Sequence, residues 1–141
     1  MVIFKMEESI DKIFEYLSWN SSSELQKRGI ELASQIHSLS VLIMPIESKS
    51  IWKNCARVLI SKSDDELERH FVELFEWLQD MNWPGADLIY DRLLCVSTEN
   101  FLPAYRYSLS VAQKMEDHVW EAVLKDLFTE YTRRMGDGFQ S

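Results

Sequence analysis

The chain has 141 residues, with 23 acidic and 15 basic side chains and a formal net charge of −8. A chain of this length fits one domain that can bury a hydrophobic core. Its surface should repel phosphate backbones, so the charge argues against nucleic acid as a partner. With only 4 Gly and 3 Pro, the chain lacks the turn residues of a β-sandwich, and the composition favours an all-α fold.

The sequence also indicates a compartment. The first ten residues, M-V-I-F-K-M-E-E-S-I, lack the charged-then-apolar pattern of a secretion signal, and no apolar run approaches the roughly 18 residues of a membrane helix. Cys55 and Cys95 each fall inside an apolar helical pattern, where a thiol usually behaves as a small buried hydrophobe. We therefore expect a cytoplasmic protein without membrane contact and without a disulfide framework.

Apolar residues at helical spacing predict a first helix over about residues 3–18. Ser21 and Glu24 have capping-box spacing and predict the start of a second helix, in which Gly29 would let another helix approach closely. Residues 39–45 are apolar without a clear period, which fits either a frayed helix end or a short extended piece. A third helix is predicted over about residues 50–60.

The second half of the chain carries four more helical patterns. Ser63 and Glu66 repeat the capping-box spacing and open a fourth helix that runs to about residue 80. Pro84 suits the first position of a fifth helix, and a sixth helix can follow residues 97–100 with Pro103 in its first turn. The last helix is predicted over about residues 117–134. Its core-facing seam is expected to consist of Val119, Val123, Leu127 and Tyr131.

A weak internal repeat supports a stacked architecture. The sequence F-E-Y-L at residues 14–17 matches F-E-W-L at residues 75–78, an offset of 61 residues, and each copy precedes a turn and another amphipathic helix. Stacked helical hairpins bury faces that one hairpin alone would leave in water. We therefore predict an all-α fold of stacked antiparallel hairpins with six or seven helices. One helical domain would span residues 1–135, followed by a frayed tail at 136–141.

Residues 74–93 resemble a HEAT-type repeat, in which a turn carrying Asp and often Trp joins two helices. Asp80 and Trp83 lie at the corresponding places. The sequence W-L-Q-D-M-N-W-P-G also resembles the signature of an uncharacterised bacterial family of small HEAT-like proteins, and this similarity covers about residues 9–96. The resemblance implies a HEAT or armadillo-like α-α superhelix and a bacterial source, but it implies no activity.

No pattern in the chain points to catalysis. The three histidines form no H-E-x-x-H pair and stand beside no cysteine at metal-ligand spacing. The chain also has no G-x-S-x-G motif, no P-loop and no dinucleotide fingerprint. We therefore expect no enzyme activity, no cofactor and no metal.

The fourth predicted helix carries the most distinctive surface. Its core face and its acidic face lie on opposite sides when the sequence is projected at about 100° per residue. Trp77 projects into the acidic sector, where it is either covered by a neighbouring repeat or exposed as an anchor for a partner. The candidate partner-binding residues are Glu66, Glu73, Glu76, Trp77 and Asp80.

Two classes of function are open. The first is a protein-protein interaction module whose acidic surface binds a basic protein, with an immunity protein that neutralises a basic toxin as one specific form. The second is a small-molecule-binding protein or an enzyme with a pocket between helices, which would need clustered His, Asp or Arg. The oligomeric state is not indicated by any pattern in the sequence.

Overall fold

The computed structural model describes residues 9–136, which contain seven helices and no strand. This confirms the predicted all-α fold. The helices are α1 (Ile10–Leu17), α2 (Ser23–Ala33), α3 (Trp52–Ile60), α4 (64–79), α5 (Ala86–Leu93), α6 (Thr98–Lys114) and α7 (His118–Met135). The first residues of the predicted first helix and most of the predicted tail lie outside the described part. No helix in that part is long and apolar enough to cross a membrane.

Short 3₁₀ segments interrupt or connect the α-helices. Two of them lie in the connection between α2 and α3: Leu39–Leu42 falls in the stretch without a clear period, and Lys49–Ile51 leads into α3. Helix α4 alternates between α-helical and 3₁₀ turns. Its four consecutive segments are Asp64–Leu67, Glu68–His70, Phe71–Glu76 and Trp77–Gln79.

Side-chain caps set several helix starts. At α4, the Ser63 hydroxyl accepts the backbone N–H of Glu66 while the Glu66 carboxylate accepts the N–H of Ser63, as the capping-box spacing predicts. The same prediction for Ser21 and Glu24 is wrong. Helix α2 is capped by Ser22, one residue later, and the Ser21 hydroxyl donates to a carbonyl of α1 instead.

Two prolines lie differently from the prediction. Helix α5 begins at Ala86, because Gly85 adopts a left-handed conformation with φ of 86° that a helix cannot include. Pro84 therefore belongs to the turn. Helix α6 begins at Thr98 and holds Pro103 inside it, beyond the first turn where we expected it.

The helices stack as pairs. Helix α1 packs on α2, where a Cβ atom added to Gly29 would lie 2.8 Å from the Cβ of Tyr16, so the glycine permits the close approach that the sequence predicts. Along the stack, α2 packs on α3 and α3 packs on α5. The Phe71–Glu76 segment of α4 packs on α6, and α7 packs on α6 and on the Trp77–Gln79 turn.

The seam of α7 differs from the predicted one. Trp120 is 1% exposed and donates its indole N–H to the carbonyl of Phe75 at 3.1 Å, whereas Val119 is 68% exposed. Burying Trp120 removes far more apolar surface from water than burying Val119, which fixes the rotation of the helix. The buried seam is Trp120, Leu124, Leu127 and Tyr131. Val119, Ala122 and Val123 form a second apolar row beside this seam, in which Val119 is exposed and Val123 is half-buried against the core.

Polar groups tie the stack together at two places. The buried amide of Asn54 on α3 donates to the carbonyl of Leu17 at 2.8 Å. At the start of α4, the Asp64 carboxylate accepts hydrogen bonds from the Arg92 guanidinium at 2.7 Å and from the N–H of Ser97 at 2.9 Å. Burial opposes ionisation of Asp64, but these hydrogen bonds outweigh it and hold its pKa below the usual range.

The two cysteines lie in different environments. Cys55 on α3 is fully buried, as predicted, and burial raises its pKa to about 12. Cys95 is exposed just after α5, so the prediction that it is a buried hydrophobe is wrong.

Candidate functional site

The predicted acidic side of α4 consists of carboxylates that serve local structure. Glu66 is held in the capping box, and the hydrogen bond from the N–H of Ser63 lowers its pKa. Glu73 is exposed and lies 3.3 Å from the Nδ1 atom of His70, one turn earlier. Both residues are on the surface and keep their charge available at long range.

The other two carboxylates lie nearer the end of α4. Glu76 is half-buried, and both its burial and the neighbouring Glu73 raise its pKa. Asp80 accepts the backbone N–H of Asn82 at 2.8 Å, which shapes the turn that follows α4. The structure therefore places the four predicted carboxylates along one helix and its following turn, without a shared pocket for all four.

Trp77 is buried, with 0% of its surface exposed, so the covered position is confirmed of the two alternatives left open by the sequence, and the exposed anchor is excluded. Its indole N–H donates to the carbonyl of Pro84 at 3.1 Å, and its ring meets the ring of Trp52 edge-on at 5.9 Å. The chain after α4 folds back over this side chain, and α3 covers it from the other direction. A projection of one helix shows none of these neighbours.

An open groove between α5 and α7 is the most suitable surface for a ligand or partner. Its volume is about 480 Å³ and its lining is mainly apolar. Ala122, Val123 and Asp126 of α7 form one wall, and Asp87, Tyr90 and Asp91 of α5 form the other. The lining residues are Met81, Asp87, Tyr90, Asp91, Ala122, Val123 and Asp126. We call this surface the α5/α7 groove.

Three aspartates line the α5/α7 groove without a basic partner. Asp87 and Asp91 are exposed one turn apart on α5, and Asp126 is exposed on α7. Within residues 9–136, no Lys, Arg or His forms an ion pair with any of them. By contrast, Glu121 and Glu130 on α7 are each paired with basic side chains of the same helix. The groove therefore combines apolar walls with uncompensated negative charge.

One hydrogen bond crosses the α5/α7 groove. The Tyr90 hydroxyl on α5 donates to the Oδ2 atom of Asp126 on α7 at 2.6 Å. Burial and this hydrogen bond raise the pKa of Tyr90, so the phenol remains a neutral donor at physiological pH. This bond holds the two walls of the groove together where the helices are not closely packed.

A second, more polar cleft lies between the α2–α3 connection and α4. It has a volume of about 370 Å³ and is lined by His37, Ser38, Leu39, Asp65, Glu66, Glu68, Arg69 and His70. Three carboxylates, one guanidinium and two imidazoles line it, so it favours no single class of charged ligand. In the part of the chain that the structure describes, no group of three or more His, Cys, Asp or Glu residues is arranged to hold a metal ion.

The sequence carries two signals of the α5/α7 groove, but neither predicts the groove without the fold. Asp87 and Asp91 form a like-charged pair at i and i+4, which destabilises a helix slightly, although Asp87 in the first turn also interacts favourably with the helix dipole. Val119 and Val123 are apolar at helical spacing but compete with Trp120 for the core. Asp87, Asp91 and Val119 are exposed, and Val123 is half-buried at the edge of the core.

Comparison with known proteins gives a family without an activity. No characterised protein and no solved structure matches the chain. One family model matches residues 52–137, which include the W-L-Q-D-M-N-W-P-G sequence and extend well beyond residue 96, where the expected similarity ends. Because this match covers more than half of the chain, the protein belongs to the family described as DUF5071, a domain of unknown function.

Proposed function

We propose that this protein is a protein-protein interaction module that binds a basic partner through the α5/α7 groove. The observation that carries the proposal is the apolar groove whose three aspartates have no basic partner among residues 9–136. An exposed apolar surface rimmed by polar residues is typical of a binding site. Carboxylates around it would attract a basic protein and disfavour an acidic one.

The acidic side of α4 has a supporting role in this proposal. Glu66, Glu73, Glu76 and Asp80 add to the net charge of −8 and would raise the rate of encounter with a basic protein. Trp77 is buried and supplies no contact. Because steering acts at long range, salt should weaken it as the Debye length falls from about 10 Å at 0.1 M to about 3 Å at 1 M.

An immunity protein that neutralises a basic toxin is one specific form of this function. It would require the partner to be a toxin and the α5/α7 groove to cover part of its surface. Co-expression should then protect cells from the toxin, and groove variants should lose that protection. A partner without toxicity would leave the interaction module as a general adaptor.

The decisive experiment begins with affinity capture from the native host, followed by binding measurements with the purified partner. We expect Asp87→Lys/Asp91→Lys to weaken binding by at least about tenfold. The matched control, Glu24→Lys/Glu31→Lys on α2, makes the same change in net charge far from the groove and should have little effect. Glu73→Lys/Glu76→Lys on α4 should slow association more than it speeds dissociation. A partner whose affinity is unchanged by the groove variant would contradict the proposal.

The volume of the α5/α7 groove also supports a second candidate, a small-molecule-binding protein. Pockets for small ligands usually measure about 300–1,000 Å³, and this groove lies within that range. Its chemistry would suit a small cation with an apolar part. Native mass spectrometry of protein purified from the host tests this candidate, since a retained small molecule that Ala122→Trp displaces would favour it over a protein partner.

A further inference from the structure

We propose that the occupant of the α5/α7 groove is a basic amphipathic helix of another protein. This inference rests on the proposed function and specifies the conformation and the pattern of the partner. Its apolar residues would lie along the groove at i, i+3, i+4 and i+7, and lysine or arginine side chains would flank them.

The spacing of residues in the second apolar row of α7 supports a helical occupant. Val119, Ala122 and Val123 stand at i, i+3 and i+4, and Asp126 follows at i+7. This is the spacing with which one helix receives another. The buried seam of α7 already satisfies its contact with the core through Trp120 and its successors. Ala122 and Val123 of this row line the groove, while Val119, which is 68% exposed, continues the row beyond the lining.

The geometry of the stack also supports a helical occupant. Helices α3 and α5 pack directly against each other, but α7 packs mainly on α6 and on the Trp77–Gln79 turn. A trough therefore runs between α5 and α7, bridged by the hydrogen bond from Tyr90 to Asp126. Two neighbouring helices with a trough between them offer a third helix the ridges and grooves that helix packing requires. A partner helix would extend the stack by one element.

The charges of the groove support a basic occupant. Asp87 and Asp91 are separated by one helical turn, about 6 Å, and Asp126 lies on the opposite wall. Two basic side chains one turn apart on a partner helix match this spacing. Their aliphatic stems can also lie on apolar surface while the charged ends reach the carboxylates. An acidic or an uncharged helix would leave the three aspartates unpaired.

The test uses synthetic peptides of about 16 residues, roughly four helical turns. One peptide consists of leucine and lysine with the leucines at i, i+3, i+4 and i+7. Its isomer has the same composition with leucine and lysine alternating, so it carries the same charge but forms no apolar helical face. Titration calorimetry would give the affinity, and NMR shift changes would locate the site. We expect the first peptide to bind at least about tenfold more tightly and to shift the signals of Tyr90, Ala122 and Val123.

Three variants connect this binding to the groove. Ala122→Trp fills the trough without changing the charge and should abolish binding. Asp87→Lys/Asp91→Lys should weaken it at least about tenfold, and Glu24→Lys/Glu31→Lys should change it less than about twofold. Circular dichroism of each variant confirms that the fold is retained.

The outcomes separate this inference from the proposed function. Equal affinity for the two peptides, or shifts outside the groove, would overturn the helical occupant even if a basic partner depends on Asp87 and Asp91. A protein that forms a dimer, and that Ala122→Trp converts to a monomer, would show that a second copy of the chain occupies the groove and would also overturn it. If the natural partner binds independently of the groove, the proposed function fails as well.

Discussion

Replacing Trp77 by alanine tests whether its side chain is buried in the core, because only a buried tryptophan contributes strongly to the free energy of unfolding. A buried tryptophan removes about 200 Å² from water, and about 25 cal/mol per Å² gives about 5 kcal/mol. Residual burial in the unfolded chain reduces this to about 3–4 kcal/mol. Losing the hydrogen bond to the Pro84 carbonyl adds about 1 kcal/mol. We therefore expect Trp77→Ala to lower the free energy of unfolding by about 4 kcal/mol, within the usual range for such truncations.

The assay is urea unfolding followed by far-UV circular dichroism, because removing a tryptophan alters the fluorescence signal. With a slope of about 2 kcal/mol per M, a loss of about 4 kcal/mol lowers the midpoint by about 2 M. Trp77→Phe keeps an aromatic ring and removes the N–H donor, so it should cost only about 1–2 kcal/mol. A loss below about 1 kcal/mol for Trp77→Ala would refute the burial argument and restore the surface role.

Three further predictions concern two glycines, the Asp64 carboxylate and the two cysteines. Gly85→Ala should cost about 2–4 kcal/mol, because its left-handed backbone and a Cβ contact of 2.8 Å both oppose a side chain. Gly29→Ala, with a similar contact but a favourable helical backbone, should cost at least about 1 kcal/mol less in the same urea assay. The pKa of Asp64 is lower in the folded chain than its unfolded value of about 3.9, so its carboxylate stabilises the fold above that pH. This stabilisation is lost as the pH falls through the folded pKa. Asp64→Asn should remove this contribution to the loss of stability in acid, as unfolding curves measured at a series of pH values would show. Iodoacetamide should modify Cys95 in the native protein but Cys55 only after unfolding, as mass spectrometry of peptides would show.

Most features that follow from local sequence could be predicted, with the Ser21 capping box as an exception, whereas most contacts between distant segments could not. The Ser63 capping box and the bounds of α7 follow from short-range hydrogen bonds and helical periodicity, so the sequence identifies them. The burial of Trp77 depends on the return of the chain at Pro84 and on α3, neither of which its own helix encodes. The predicted start of α5 at Pro84 is wrong for a related reason. The left-handed backbone of Gly85 brings the turn against α3, a distant segment, and delays the start of the helix to Ala86.

The candidate site shows the same division. The like charges of Asp87 and Asp91 can be read from the sequence, but their position beside Val123 and Ala122 depends on how α7 packs relative to α5. That packing is decided by the burial of Trp120, which lies 33 residues after Asp87 and 29 residues after Asp91 in the chain. Periodicity alone could not choose between two overlapping apolar rows on α7. The volume of a side chain, which sets the gain from burial, makes that choice.

Some residues at and beside the α5/α7 groove contribute little to the stability of the fold. Val119 is mostly exposed and contributes little burial to the fold, while Asp87 and Asp91 repel each other along α5. Within residues 9–136, Asp87, Asp91 and Asp126 form no ion pair with a basic side chain. A basic helix placed between α5 and α7 would supply both apolar cover for the second apolar row of α7 and the missing positive charges.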